Sequence, residues 1–133
     1  MSPDYLDFSH KGLVLNGLNL KGPHRRTPFL PIVYGRKVGI EAPPENLIFL
    51  KNKLPAGAVW SVLGVGRSQL TMIAMGLLLG GHIRVGFEDN IYLRRGVPAK
   101  SNAQMVEMAV DLANMLQREV GTPDEARQTL YIK

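Results

Sequence analysis

Cysteine is absent from this 133-residue chain. Disulfides, thiolate metal sites and thiol nucleophiles are therefore excluded together. Histidine is scarce, with only His10, His24 and His82, far apart along the sequence. The apolar stretch 70–79 falls well short of the roughly 20 residues a membrane helix needs, so no membrane partner is expected. Met1-Ser2-Pro3-Asp4 lacks the basic segment of a secretory leader, and the cytoplasm is the expected compartment. Acidic residues are few near the start: Lys11, Lys21, Arg25, Arg26, Arg36 and Lys37 stand against Asp4 and Asp7, within a net charge of +5. No aromatic residue interleaves with the basic residues at 11–26. That pattern fits a solvated loop better than a nucleic-acid face, and no nucleic-acid partner is expected.

What is present suits one α/β domain spanning 1–133, irregular over 1–27 and built of β/α units over 28–133. Tyr5–Phe8 reads as a short strand, and Asn16-Gly17 between apolar neighbours suggests a hairpin turn. Phe29–Tyr34 is a buried-strand run rich in β-branched residues, stopped by Gly35. Pro43-Pro44-Glu45 opens a helix whose apolar face is Leu47, Leu50 and Leu54, with Ile48 nearby. Ala58–Leu63 is the next strand, broken by Gly64-Val65-Gly66. Ser68 is placed to cap a helix that runs to Leu79 and ends at Gly80-Gly81. Ser101 starts the longest helix, with Val106, Ala109, Leu112, Ala113 and Leu116 at a period of 3.6. Thr122-x-x-Glu125 with Pro123 is a capping box for a short final helix. Strands alternating with helices on short links predict a parallel sheet with right-handed crossovers. Periodicity alone does not separate an open doubly wound sheet from part of a barrel.

The stretch from Gly80 to Asn90 carries the most chemistry. It reads as a buried strand ending in two adjacent carboxylates. Ile83, Val85 and Phe87 would share one face; His82, Arg84, Gly86 and Glu88 the other. An arginine and a glutamate buried there need each other, a metal or a substrate, and Gly86 would leave room for a ligand. In a regular strand Arg84 and Glu88 stand about 13 Å apart at about 3.3 Å per residue, and Asp89 faces away. A buried ion pair and a binding site both remain open. Elsewhere, Gly64-x-Gly66 meets Gln69 where a dinucleotide fingerprint needs a third glycine. A phosphate site there and a tight strand-to-helix turn stay equally open. Ser61 and Ser68 have no positioned histidine, and Met72, Met75, Met105, Met108 and Met115 read as core.

The run GGHIRVGFEDNIYL resembles the β-keto acid cleavage enzymes of the 3-keto-5-aminohexanoate type. So do Trp60-Ser61, Gly64-Val65-Gly66-Arg67-Ser68-Gln69, Lys100-Ser101-Asn102-Ala103-Gln104 and Thr122-Pro123-Asp124-Glu125-Ala126-Arg127, in the same order. The resemblance implies a (β/α)8 TIM barrel, of which this chain supplies the last three or four β/α units, since a full barrel takes about 250 residues. It implies that Glu88 is a metal ligand, usually to zinc, that Asp89 is the general base, and that Arg84 binds the anionic keto acid. The reaction implied is a retro-Claisen acyl transfer, in which a β-keto acid and acetyl-CoA give acetoacetate and a new CoA thioester. A homo-oligomer is expected from the same resemblance.

Two features depart from the family pattern. The two other zinc ligands form a His-x-His motif, and no such motif exists in this sequence. The proline–acid–x–acid strand is met only by Pro3-Asp4-Tyr5-Leu6-Asp7, with Leu6 where the second acid is expected. His82 is expected to be structural, and His10 is the first histidine to examine as a ligand. A catalytically inactive barrel fragment that survives by association is the alternative expectation.

Overall fold

Two apolar runs separated by a helix pair side by side to begin the sheet. The computed structural model describes residues 29–34 and 43–130. The expected strand at Tyr5–Phe8 and turn at Asn16-Gly17 lie outside those residues, as do His10 and His24. Strand β1 (Phe29–Tyr34) runs parallel to β2 (Val59–Gly64), in register from Phe29↔Val59 to Tyr34↔Gly64. The intervening helix α1 (Pro44–Lys53) starts where Pro43-Pro44 predicts, and it buries Leu47 and Leu50. Every residue of β2 from Trp60 to Gly64 is buried, as befits a parallel strand covered on both faces.

After β2 the chain makes a 3-10 turn, Gly66–Ser68, and enters helix α2 (Gln69–Leu78). Gly66 has a φ of +61°, a left-handed conformation that glycine adopts freely. Ser68 does not cap α2 with its side chain, contrary to expectation. Its backbone is already helical, whereas a capping serine needs an extended backbone to reach the free N–H groups. The other end behaves as predicted. Gly80 N donates to Leu77 O and Gly81 N to Gly76 O, the paired bonds of a Schellman stop. Two glycines let α2 and its exit lie close on β2. A Cβ on Gly76 would collide with Val62 Cγ1, and one on Gly81 would come 2.6 Å from Trp60 Cη2.

The third strand is shorter than its sequence suggests. Strand β3 is only His82–Ile83, paired with Ser61 and Val62 of β2 in a parallel sheet of order β1-β2-β3. Arg84 N still donates to Val62 O. The next rung in this register would join Gly86 N to Gly64 O, but Gly64 O accepts the side-chain amide of Asn90 instead. The chain turns there. An antiparallel hairpin follows, β4 (Tyr92–Arg94) with β5 (Val97–Pro98), which sequence reading did not anticipate.

Helix α3 (Asn102–Met115) is capped by Ser101 Oγ, which accepts from Gln104 N at 3.1 Å. It buries Met105, Ala109 and Ala113, while Val106 and Met115 are exposed. The buried face is thus rotated by one position from the expected one at its start. Helix α4 (Pro123–Leu130) opens with the predicted capping box: Thr122 N donates to Glu125 Oε2 at 2.7 Å and Glu125 N to Thr122 Oγ1 at 3.3 Å. The main core is Ile32, Leu47, Leu50, Trp60, Val62 and Met72. The strand–helix alternation and parallel pairing make this an α/β fold. No helix among the described residues is long and apolar enough to cross a membrane.

Candidate functional site

The acidic turn leaves the sheet just past the carboxyl end of β3, beside that of β2. Asp89 N and Asn90 N both donate to Gly86 O, at 3.1 and 3.0 Å, which closes the turn. Arg84, Glu88 and Asp89 are thereby brought together. Arg84 Nη2 lies 3.0 Å from Glu88 Oε2 and 3.3 Å from Asp89 Oδ2. Two sequence expectations are corrected here. Arg84 and Glu88 are not buried: their side chains are 52% and 83% exposed. Nor does Asp89 face away, because a turn replaces the strand alternation that would have separated it from Arg84.

The three side chains differ in surroundings. Asp89 is sheltered, at 12% exposure, and its Oδ2 is buried with no hydrogen-bond partner. The nearby guanidinium compensates that carboxylate by charge. Glu88 faces solvent, where an ion pair contributes only about 0–1 kcal/mol. Both carboxylates meet the same nitrogen of Arg84. A guanidinium carries five N–H donors, so Nη1 and Nε have no ion-pair partner among the described residues. The arrangement can hold an anion on the arginine next to a sheltered carboxylate.

Three amide side chains that sequence reasoning missed support this turn. Asn90 Nδ2 donates to Gly64 O at 2.7 Å. Phe87 N donates to Asn102 Oδ1 at 2.8 Å, and Gln69 Nε2 donates to Tyr92 O at 2.8 Å. Nothing in the local sequence signals these partners, which lie 15 to 26 residues away. Gly86 has no special demand for space: a Cβ there would meet Asn102 Oδ1 at an ordinary 3.7 Å. At Gly64 the demand is real, since a Cβ would come 2.5 Å from Ser68 O. The tight strand-to-helix turn accounts for that glycine without a ligand.

Metal ligation is only partly provided for. Catalytic zinc takes about three protein ligands and an open position. Among the described residues no group of three or more His, Asp or Glu side chains could hold a metal ion. His82 is exposed at the start of β3, away from the acidic turn. The described residues therefore do not fit zinc by themselves, and Glu88 is one donor at most.

The sequence model of the beta-keto acid cleavage enzyme family matches residues 10–132. The chain belongs to that family, the one its motifs resemble. Among its relatives, the 3-keto-5-aminohexanoate cleavage enzyme of Fusobacterium nucleatum is 50% identical over 96 residues, covering 72% of this chain and 35% of the relative. The enzyme of the same name from Acetoanaerobium sticklandii is 47% identical over 113 residues, 84% of this chain and 41% of the relative. The 3,5-dioxohexanoate:acetyl-CoA acetone transferase of Paraburkholderia graminis is 34% identical over 109 residues, 79% of this chain and 35% of the relative. This chain thus spans between 30% and 41% of the length of these and other curated relatives it matches.

Proposed function

We propose that this chain provides the Arg84–Glu88–Asp89 part of a β-keto acid cleavage site, acting in acyl transfer between a β-keto acid and acetyl-CoA. The observation that carries this reading is the meeting of Arg84 with both carboxylates at the carboxyl end of a parallel sheet. In a TIM barrel that end is where active sites are built. Strands β1 to β3 and their helices would be consecutive β/α units of such a barrel, within one domain over 1–133. Relatives named for acetyl-CoA transfer support acetyl-CoA as co-substrate.

Each side chain has a role suited to its surroundings. Arg84 would bind the substrate carboxylate through guanidinium nitrogens not used by Glu88 and Asp89. Asp89, sheltered and next to that anion, would serve as the general base. The exchange gives acetoacetate and a new CoA thioester. Glu88 would be a carboxylate ligand to a divalent metal such as zinc, with the remaining donors outside the described residues. Exposed Phe49, Leu78 and Met115 would be covered in a homo-oligomer, and the cytoplasm is the proposed setting.

The test is acetoacetate production from acetyl-CoA and 3-keto-5-aminohexanoate, the substrate named by two relatives. Production by the wild type and its loss, by about 100-fold or more, in Asp89→Asn would support the reading. The lack of a His-x-His motif in the sequence favours a second reading, a barrel portion that is inactive unless it associates with another chain. A folded wild type that makes no acetoacetate, with zinc supplied, would favour that second reading.

A further inference from the structure

Beyond the two backbone bonds that Asp89 N and Asn90 N give to Gly86 O, the acidic turn is tied to other elements through side chains. Asn102, at the first turn of α3, accepts from Phe87 N on one side. Gln69, at the start of α2, donates to Tyr92 O on the other. Asn90 stands between them and immediately follows Asp89. It is 6% exposed, and its amide reaches across 26 residues to Gly64 O. That acceptor is the last residue of buried strand β2, in register with Tyr34 of β1.

The Asn90 bond does two things at once. It uses the carbonyl that the next rung of β3 would have used, at the point where the strand ends. It also anchors the residue next to Asp89, whose Oδ2 lies 3.3 Å from Arg84 Nη2. Only the donor end of the amide is employed, since Oδ1 is buried without a hydrogen-bond partner. A donor to a fixed carbonyl is therefore what the position requires. Aspartate, of nearly equal shape, would set a second acceptor against the Gly64 carbonyl at the cost of an unmade buried bond.

We propose that Asn90 is the positioning residue of this site: its side-chain amide, fixed on Gly64 O, sets Asp89 against Arg84. The catalytic meaning of that placement rests on the roles given above to Asp89 and Arg84; the placement itself does not. Asn90 acts through Asp89 and is given no contact with substrate.

The experiment uses the full chain with isotope-labelled arginine and follows the guanidinium signals of Arg84, assigned by their loss in Arg84→Gln. The wild type should show resolved Nη signals at low temperature, because two carboxylates on one nitrogen hinder rotation. Asn90→Asp and the milder Asn90→Ser should both lose that resolution. Gln69→Leu, which removes a neighbouring buried amide, should lower thermal stability and keep it. Where Asn90→Asp does not fold, Asn90→Ser supplies the result. Resolved Nη signals in a folded Asn90 variant would overturn the proposal even if its melting temperature has dropped, since that is how a merely structural asparagine behaves. A wild type without resolved signals would overturn it too. In the acetoacetate assay both variants should lose about 100-fold in kcat with a much smaller change in KM, the scale of an ångström-sized misplacement. A wild type without turnover would count against the proposed activity alone, because the Arg84 signals report the placement independently.

Discussion

The sheet with α2 and the acidic turn are neighbours in space but are held by different forces. In the first, a continuous parallel ladder joins β1 to β2, and Ile32, Trp60, Val62 and Met72 close into one apolar cluster. In the second, no apolar side chain is fully buried: Phe87, Ile91 and Tyr92 keep 38%, 60% and 49% of their surface exposed. Two backbone bonds to Gly86 O close it, and single hydrogen bonds involving the side chains of Asn90, Asn102 and Gln69 tie it to its neighbours. Burial is additive and tolerant of small errors in direction. A lone amide–carbonyl bond is directional and contributes only about 0.5–1.5 kcal/mol. Stability should therefore reside in the sheet, and the accuracy of the site in a few amides.

Substitution in each region tests that division. Met72 is fully buried in the cluster, so Met72→Ala should cost about 2–5 kcal/mol in urea denaturation. The Arg84 signals of its folded fraction should be unchanged. A loss below about 1 kcal/mol would mean that the core is not where stability lies. In the turn, Glu88→Gln removes an exposed ion pair and should change stability by no more than about 1 kcal/mol, with less effect at high salt. A larger loss would show the turn to be part of the cooperative core.

The smallest effect concerns α4 and depends on pH. The Thr122 backbone N–H, and then its hydroxyl, hold the Glu125 carboxyl below its ordinary value of 4.5. A carboxylate depressed in the folded state contributes stability that is present above the unfolded value and lost as pH falls through the folded one. Amide protection in α4 should thus be constant above pH 4.5 and decline below it, and Glu125→Gln should flatten the profile. Protection that rises on acidification would contradict the capping geometry.

Much of this architecture was legible in the residues. Pro43-Pro44, Ser101 and Thr122-x-x-Glu125 marked three helix starts, and Gly80-Gly81 a helix stop, because these signals act within a turn of chain. The misreadings share one cause. Ser68 looked like a cap, and Gly80–Asn90 like a long buried strand, because residue type and alternation were all there was to read. The hairpin Tyr92–Pro98 went unread, for Arg95-Gly96 is a weak turn signal between short runs.

The alternation of strands and helices up to β3, the family and the pair of adjacent carboxylates were determined by the sequence itself, since each depends on neighbours or on a motif in order. Which way those carboxylates face was decided only by the tertiary structure. Asn90 finds Gly64 O across 26 residues, and that bond exists only once β2 is in place. A local pattern can specify a strand or a cap; it cannot specify an acceptor that folding brings from elsewhere.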